Sequence, residues 1–290
     1  MPKYAYVNGR YRPHNQATVH IEDRGYQFAD GVYEVVPVSH GRLVDEDLHL
    51  DRLERSLSEL RIDMPMSRRS LKLVSAELMR RNRLSNGFLY MQVTRGVAPR
   101  DHKFPKQAAP AVVMTTRQTK PAQREAIEAG VGVIAIPDIR WKRRDIKSVS
   151  LLPNCLGKQQ AFEAGAYEAW MVDDEGFVTE GTSTNAWIIT KDKRLITRPA
   201  TDDILNGITR ISLIRTAESL GISVEERPFT LAEAKDAKEA FITSSSNFVM
   251  PVVRIDETAI GNGRAGELTL RLRDGYEAAV VRGEELAAVN

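Results

Sequence analysis

The stretch VTEGTSTNAWII, residues 178–189, sets an acid, a glycine and three hydroxyls directly before an apolar run that reads as a strand. By itself it is equally a turn entering a strand or a loop facing a ligand, because Ser and Thr hydroxyls serve both. Downstream, NGITRISLI at 206–214 opens a helix. Free backbone amides and the positive dipole end at such a start favour a phosphate, with capping by Asn206 or Thr209 as the structural alternative. TSSSN at 243–247 follows the apolar strand EAFI and brings further hydroxyls to a strand end. Upstream, DIRWKRRDIKS at 138–148 is basic and carries an aromatic, which suits a solvated charged face or a nucleic-acid patch. Within it Lys147 lies among Ile146, Val149, Leu151 and Leu152, an apolar neighbourhood that disfavours an ammonium. A desolvated lysine suits Schiff-base chemistry; a lysine whose stem packs while its head reaches solvent is the alternative.

The whole chain bounds these readings. Its 290 residues exceed the usual single-domain size of roughly 100–200, so two domains are expected. With 41 basic against 39 acidic residues it lacks the basic excess that would make nucleic acid the leading partner. The single Cys155 excludes an intrachain disulfide framework and a thiolate-rich metal cage. MPKYAYVNGRYRPHN at the N-terminus lacks a signal-peptide pattern, and no run approaches the ~20 apolar residues of a membrane span. A cytoplasmic protein with no membrane partner is expected. The dinucleotide glycine fingerprint, the phosphate-binding glycine loop and HExxH are absent, and His14, His20, His40, His49 and His102 include no i, i+4 pair, so no metal site is expected.

Residues 4–12 alternate around Asn8-Gly9, the pair of a tight hairpin turn. Leu48, Leu50, Leu53, Leu57 and Leu60 mark an amphipathic helix over 47–61 that carries Arg52, and Ser67 caps a second helix running to about Arg83. Strands follow at 87–95 and 111–116, and then RQTKPAQ at 117–123 is polar and proline-bearing. The expected division is a small α/β domain over 1–118, a linker over 119–125 and a larger domain over 126–290. In the latter, helices are expected near 122–129, from about 154, at 207–220 and at 266–284. Its strands are expected at 131–136, around a turn at Asp173-Asp174-Glu175-Gly176, and at 184–190 and 194–198. Strands and helices mix without strict βαβ alternation, so the fold class is α+β.

DIKS, TEGTSTN, NGITR and FITSSSN, in this order, resemble the class IV (fold-type IV) pyridoxal-phosphate (PLP) dependent aminotransferases. VNGRYRP, DRGYQFADGVYEV and HLDRLERS echo the same family, so the resemblance runs from about residue 4 to 275. Within the family, RGVAPRDHKFP at 95–105 is most similar to the D-amino-acid aminotransferases, whose Arg-x-His pair grips a substrate carboxylate; Arg100 and His102 match that pair. The resemblance implies a two-domain fold with a C-terminal pseudo-barrel carrying the PLP lysine, and the cofactor pyridoxal 5'-phosphate in the cleft. It implies Lys147 as the cofactor lysine and general base, and Glu180 as the acid at the pyridine nitrogen. Arg52, the amides of Ile208 and Thr209, the Thr209 hydroxyl and Ser244 or Ser245 would hold the phosphate, with Leu205 against one face of the ring. Tyr33, Arg100 and His102 would bind the substrate carboxylate, the last two from a neighbouring subunit, which implies a homodimer. Pro37, Ser39 and His40 stand where the side-chain pocket is lined and depart from the pattern.

The activity so implied is a D-amino-acid transaminase, moving the amino group of D-alanine or a similar D-amino acid to a 2-oxo acid such as 2-oxoglutarate. A branched-chain L-amino-acid or (R)-amine transaminase shares all but the carboxylate trap. An aminodeoxychorismate lyase has no need of Arg100 and His102. A non-catalytic nucleic-acid-binding protein using 138–148 is the remote alternative.

Overall fold

The computed structural model describes residues 2–120 and 122–283, and the chain divides into two units. The first takes Met1–Pro121 with Ile146–Ser150; the second takes Ala122–Asp145 and Leu151–Asn290. Residue 1, Pro121 of the expected linker, the expected end of the last helix at 284 and the domain limit at 290 lie outside the described residues.

The first unit opens with the expected hairpin. Strands β1 (Tyr4–Val7) and β2 (Arg10–Pro13) flank Asn8 and Gly9, whose φ angles of 45° and 88° are both positive, as the tight turn requires. A short helix α1 (Arg24–Phe28), capped by Asp23 on the Gly25 amide, leads into β3 (Gly31–Ser39) and β4 (Arg42–Leu43). Helices α2 (Glu46–Glu59) and α3 (Arg68–Asn82) follow, the latter capped by the Ser67 hydroxyl on the Ser70 amide at 3.2 Å. β5 (Gly87–Thr94) and β6 (Ala111–Gln118) complete a six-stranded antiparallel sheet in the order β2-β1-β6-β5-β3-β4. Leu50, Leu53 and Leu57 of α2 and Leu71 and Leu78 of α3 join Val32, Val36, Leu89, Met91 and Met114 in one core. This is the burial that the leucine spacing calls for.

Ile146–Ser150 extends this sheet. The Tyr33 amide donates to the Lys147 carbonyl and the Val149 amide to the Gly31 carbonyl, each at 3.0 Å, and Val32 pairs with Ser148. Ile146 enters the leucine core. The segment satisfies the polar backbone edge of β3 beyond the reach of β4, an obligation that buried peptide groups impose. Lys147 therefore groups with the first unit, whereas the division read from the sequence put it in the second.

The second unit begins with α4 (Arg124–Ala129), so helix already occupies the far end of the expected linker. It is built on β7 (Val131–Pro137), β8 (Glu168–Val172), β9 (Val178–Gly181), β10 (Asn185–Ile189), β11 (Leu195–Thr197), β12 (Val224–Glu226), β13 (Glu239–Ser244), β14 (Phe248–Ile255) and β15 (Thr258–Ala259). The main path is β12-β11-β10-β13-β14-β7-β8-β9, with β15 on β14. β7 runs parallel to β8 and β14, and β11 to β12; the other pairs are antiparallel, which makes a mixed sheet. The Gly181 amide bonds the Thr184 carbonyl across a tight turn, so β9 folds back beside β10 and the sheet curls into a half-barrel. Every residue of β10 is buried: Ala186 and Ile188 face a core with Trp170, Phe229 and Val252, while Trp187 and Ile189 face one with Leu213, Phe241, Leu272 and Tyr276. Alternate side chains of one strand thus serve two cores. The second core is covered by α6 (Ile208–Ser219) and α8 (Glu267–Arg282), while α5 (Leu152–Glu163) lies against β7 and β8, and α7 (Leu231–Asp236) places Ala234 in the first.

Candidate active site

Glu180 lies near the end of β9 with 5% of its surface exposed, and the side-chain and backbone groups bonded to its carboxylate are all donors. Arg140 Nη1 donates to Oε1 at 2.5 Å, Asn185 Nδ2 to Oε2 at 3.0 Å, and the Leu205 amide to both oxygens at 3.2 Å. An acidic hydrogen on Glu180 would find no acceptor among these groups, so the arrangement holds a carboxylate. Burial nevertheless pushes its pKa above the ordinary value, against the pull of Arg140 and the Leu205 amide. On Arg140 burial works the other way and is outweighed: the Glu180 and Asp138 carboxylates hold its pKa above the usual value.

Arg140 was not singled out in the sequence. There the segment read as a charged face or a nucleic-acid patch, yet the Arg140 side chain is only 8% exposed and bonds Asp138 through Nε at 3.0 Å and Nη2 at 2.8 Å. Arg144 pairs with Asp138 at 3.2 Å and with Asp203 at 3.3 Å, and Arg143 with Asp145 at 3.0 Å. The arginines of this stretch are thus engaged by carboxylates, and its alternation is the signal: Ile139 and Trp141 are exposed while Arg140 between them turns inward.

Asn185 links the acid to the helix start. Its Nδ2 also bonds the Leu205 carbonyl at 2.8 Å, and its Oδ1 lies where a Cβ on Gly207 would come within 2.2 Å, so residue 207 has to be glycine for this approach. No side chain caps α6; the Asn206 amide oxygen accepts from Arg210 at 3.2 Å instead. Ile208 and Thr209, buried in the first turn, present their amides at the positive end of the helix. The β10–β13 register sets Asn185 opposite Thr243, next to Ser244, whose hydroxyl meets Ser246 at 3.2 Å and the Asn247 amide at 3.3 Å; Ser245 follows, half-buried. Glu180, Leu205, Ile208, Thr209, Ser244 and Ser245 all belong to the second unit.

Lys147, Tyr33, Arg52, Arg100 and His102 belong to the first. The Lys147 ammonium stands 4.3 Å from the centre of the Tyr33 ring, and Tyr33 stacks on Tyr90 at 5.8 Å. The β3–β5 register pairs Tyr33 with Gln92 and Val35 with Tyr90, and the Tyr90 hydroxyl donates to Gln92 at 2.7 Å. Burial pushes Tyr90 up to about 12. Tyr90 also went unremarked in the sequence, since only the register shows that it shares a face with Tyr33. On α2, Arg52 pairs with Glu34, and Ser56, one turn on, accepts from the Lys147 amide at 3.4 Å. Arg100 and His102 are both exposed, and both rest on Phe28: the guanidinium lies 4.5 Å from its ring centre and the imidazole 5.4 Å. Arg24 braces the same loop by donating to the Asp101 carbonyl at 2.6 Å.

The groups of the second unit fit pyridoxal 5'-phosphate. A carboxylate that meets donors suits a protonated ring nitrogen, and a helix start without a side-chain cap, beside serine hydroxyls, suits a phosphate. Fold and chemistry together define a PLP-dependent enzyme of fold type IV. The chain belongs to the class IV aminotransferase family, whose model, described as Amino-transferase class IV, matches residues 31–255. It is 42% identical over 274 residues to a D-alanine aminotransferase of Bacillus licheniformis, covering 94% of this chain and 96% of the relative. With a D-alanine aminotransferase of Staphylococcus haemolyticus the identity is 39% over 271 residues, or 93% and 95% of the two chains. Among solved structures, a branched-chain amino acid aminotransferase of Thermobaculum terrenum in its PLP form superposes with a TM-score of 0.84 at 25% identity, covering 98% of this chain and 95% of that one.

Proposed function

We propose that this enzyme is a D-amino-acid transaminase, taking the amino group from a D-amino acid such as D-alanine and passing it to a 2-oxo acid such as 2-oxoglutarate. The observation that carries the reading is the Arg100-x-His102 pair, presented outward on a braced loop with both side chains against Phe28. Two exposed donors held on one ring suit capture of a carboxylate. The likeness to D-alanine aminotransferases over nearly the whole chain supports it, while the likeness to the branched-chain enzyme is one of fold.

PLP, when bound, supplies an electron sink for the charge that develops at the substrate Cα. Glu180 keeps the ring nitrogen protonated, and Arg52, the amides of Ile208 and Thr209, the Thr209 hydroxyl and Ser244 or Ser245 hold the phosphate. Leu205 would pack against the ring. Lys147 would hold the cofactor through its side-chain amine, and that amine would be the base that accepts the proton from the substrate Cα. Tyr33, Arg100 and His102 orient the substrate carboxylate, the last two from a neighbouring copy, so the homodimer is the working unit. A cytoplasmic location, with neither a membrane nor nucleic acid as partner, fits a chain with balanced charge in which no helix among the described residues is long and apolar enough to cross a membrane.

Mixing the PLP enzyme with D-alanine, L-leucine or (R)-1-phenylethylamine and following the cofactor absorbance tests this directly. Fast conversion with D-alanine is expected, and conversion by L-leucine alone would refute the D assignment. Arg100→Ala is expected to impair D-alanine far more than the amine, which has no carboxylate; equal losses would remove Arg100 from the trap.

A further inference from the structure

Three polar residues run through the leucine core of the first unit. His49, Arg52 and Ser56 recur on α2 at spacings of three and four, all buried, among Leu50, Leu53 and Leu57. Opposite them Glu34 of β3, 1% exposed, accepts from Arg52 Nε at 2.8 Å and Nη2 at 2.7 Å, and from His49 Nδ1 at 2.7 Å. Against an apolar replacement a buried ion pair often brings no net stability, so this one calls for a role besides holding the core. Its geometry supplies one. The carboxylate grips the Nε–Nη2 edge of the guanidinium and so fixes its plane and the direction of its Nη1–Nη2 end, a fork of the kind that matches a phosphate. As the Glu34 carboxylate is an acceptor, His49 Nδ1 carries the hydrogen and is a third point of restraint.

We propose that Glu34 and His49 are positioning residues that lock the Arg52 fork toward the cofactor phosphate, an inference that rests on the reading of Arg52 as a phosphate ligand. Their contribution is then specific to the phosphate and absent for the ring.

Equilibrium dialysis of the apoenzyme against PLP and against pyridoxal, which lacks the phosphate, separates the two. Glu34→Gln is expected to weaken PLP binding about ten- to a hundredfold, the range seen when partners of metal ligands are removed, while pyridoxal binding shifts by less than about threefold. His49→Ala should weaken PLP in the same selective sense, and His49→Asn, whose amide donates near the position of Nδ1, should restore it. Equal losses for PLP and pyridoxal, or no loss for either, would overturn the positioning role. Arg52→Gln tests the underlying reading by itself. An unchanged ratio of PLP to pyridoxal affinity in that variant sinks Arg52 as the phosphate ligand, whereas a changed ratio there with none in Glu34→Gln sinks the positioning role alone. Should Glu34→Gln fail to fold by circular dichroism, the His49 pair decides.

Discussion

In each unit of this enzyme a buried glutamate meets a buried arginine, Glu34 with Arg52 and Glu180 with Arg140, and the two glutamates are tuned in opposite directions. Glu34 has the guanidinium of Arg52 across two hydrogen bonds and His49 across a third; burial opposes its charge, but Arg52 and His49 bring it down to about 2. Glu180 has a single hydrogen bond from Arg140, and that arginine is shared with Asp138, so burial prevails and its pKa moves up. A carboxylate held by two hydrogen bonds from one guanidinium is a fixed anion, suited to aiming another group. One that shares its arginine and is otherwise held by the weaker dipoles of Asn185 and the Leu205 amide keeps basicity to offer a pyridine N–H. On the reading proposed above, the same residue pairing serves as a brace in one place and as a partner for the cofactor in the other.

The largest effect that bears on this contrast is expected from Glu180→Gln. The amide keeps the shape but removes the charge that stabilises a protonated ring nitrogen, so kcat should fall about a hundred- to a thousandfold, the cost typical of losing one electrostatic stabiliser. PLP affinity, read by dialysis, should change little beside that loss. A variant that loses affinity and keeps kcat would make Glu180 a brace like Glu34.

Acid unfolding sharpens the contrast through its sign. Glu34 is depressed from the ordinary 4.5 to about 2, so its stabilisation is complete above pH 4.5 and is lost as the pH falls through about 2. At about 1.4 kcal/mol per pKa unit that is about 3 kcal/mol. His49, which burial lowers from 6.5, acts in the same direction and begins to cost stability below 6.5. Glu180 is raised, so its contribution favours the fold below 4.5 and is lost as the pH rises through its folded value. In urea titrations from pH 7 to 3, Glu34→Gln should flatten the acid fall and Glu180→Gln should steepen it. Parallel curves for the two variants would show that the carboxylates are tuned alike.

The sequence showed these two carboxylates unequally. Glu180 stood in an ordered series of motifs with Lys147, and that order, more than any local pattern, singled both out. Local chemistry did announce the Asn8-Gly9 turn, the Ser67 cap and the leucine face of α2, because each depends on neighbours within a turn or two. Glu34 lay unremarked in β3, because its worth depends on His49 and Arg52, brought to it only when α2 packs on the sheet. Arg140 hid in a basic run for the same reason: its partner Glu180 is 40 residues away. The docking of Ile146–Ser150 on β3 is a long-range pairing too, and no cut along the chain reveals it. The five-residue α1 has no room for a hydrophobic period and depends on the Asp23 cap.

A third arginine, at the surface, provides the smallest expected effect and shows whether burial or pairing drives the other two. Arg68 meets Asp51 at 2.5 Å and Glu54 at 3.1 Å between α2 and α3, the first contact as short as those of Arg52, but its side chain is 33% exposed and its partners more so. Water already solvates those charges, so removing one partner strands nothing in a low dielectric. Arg68→Gln should therefore change the unfolding free energy from urea titration by no more than about 0.5 kcal/mol, and less in high salt. Arg52→Gln, which leaves Glu34 buried without its guanidinium, should cost about 3–5 kcal/mol. Comparable losses from the two would mean that the ion pairs of α2 stabilise by contact alone, and the distinction drawn between a buried brace and a shared partner would lose its physical basis.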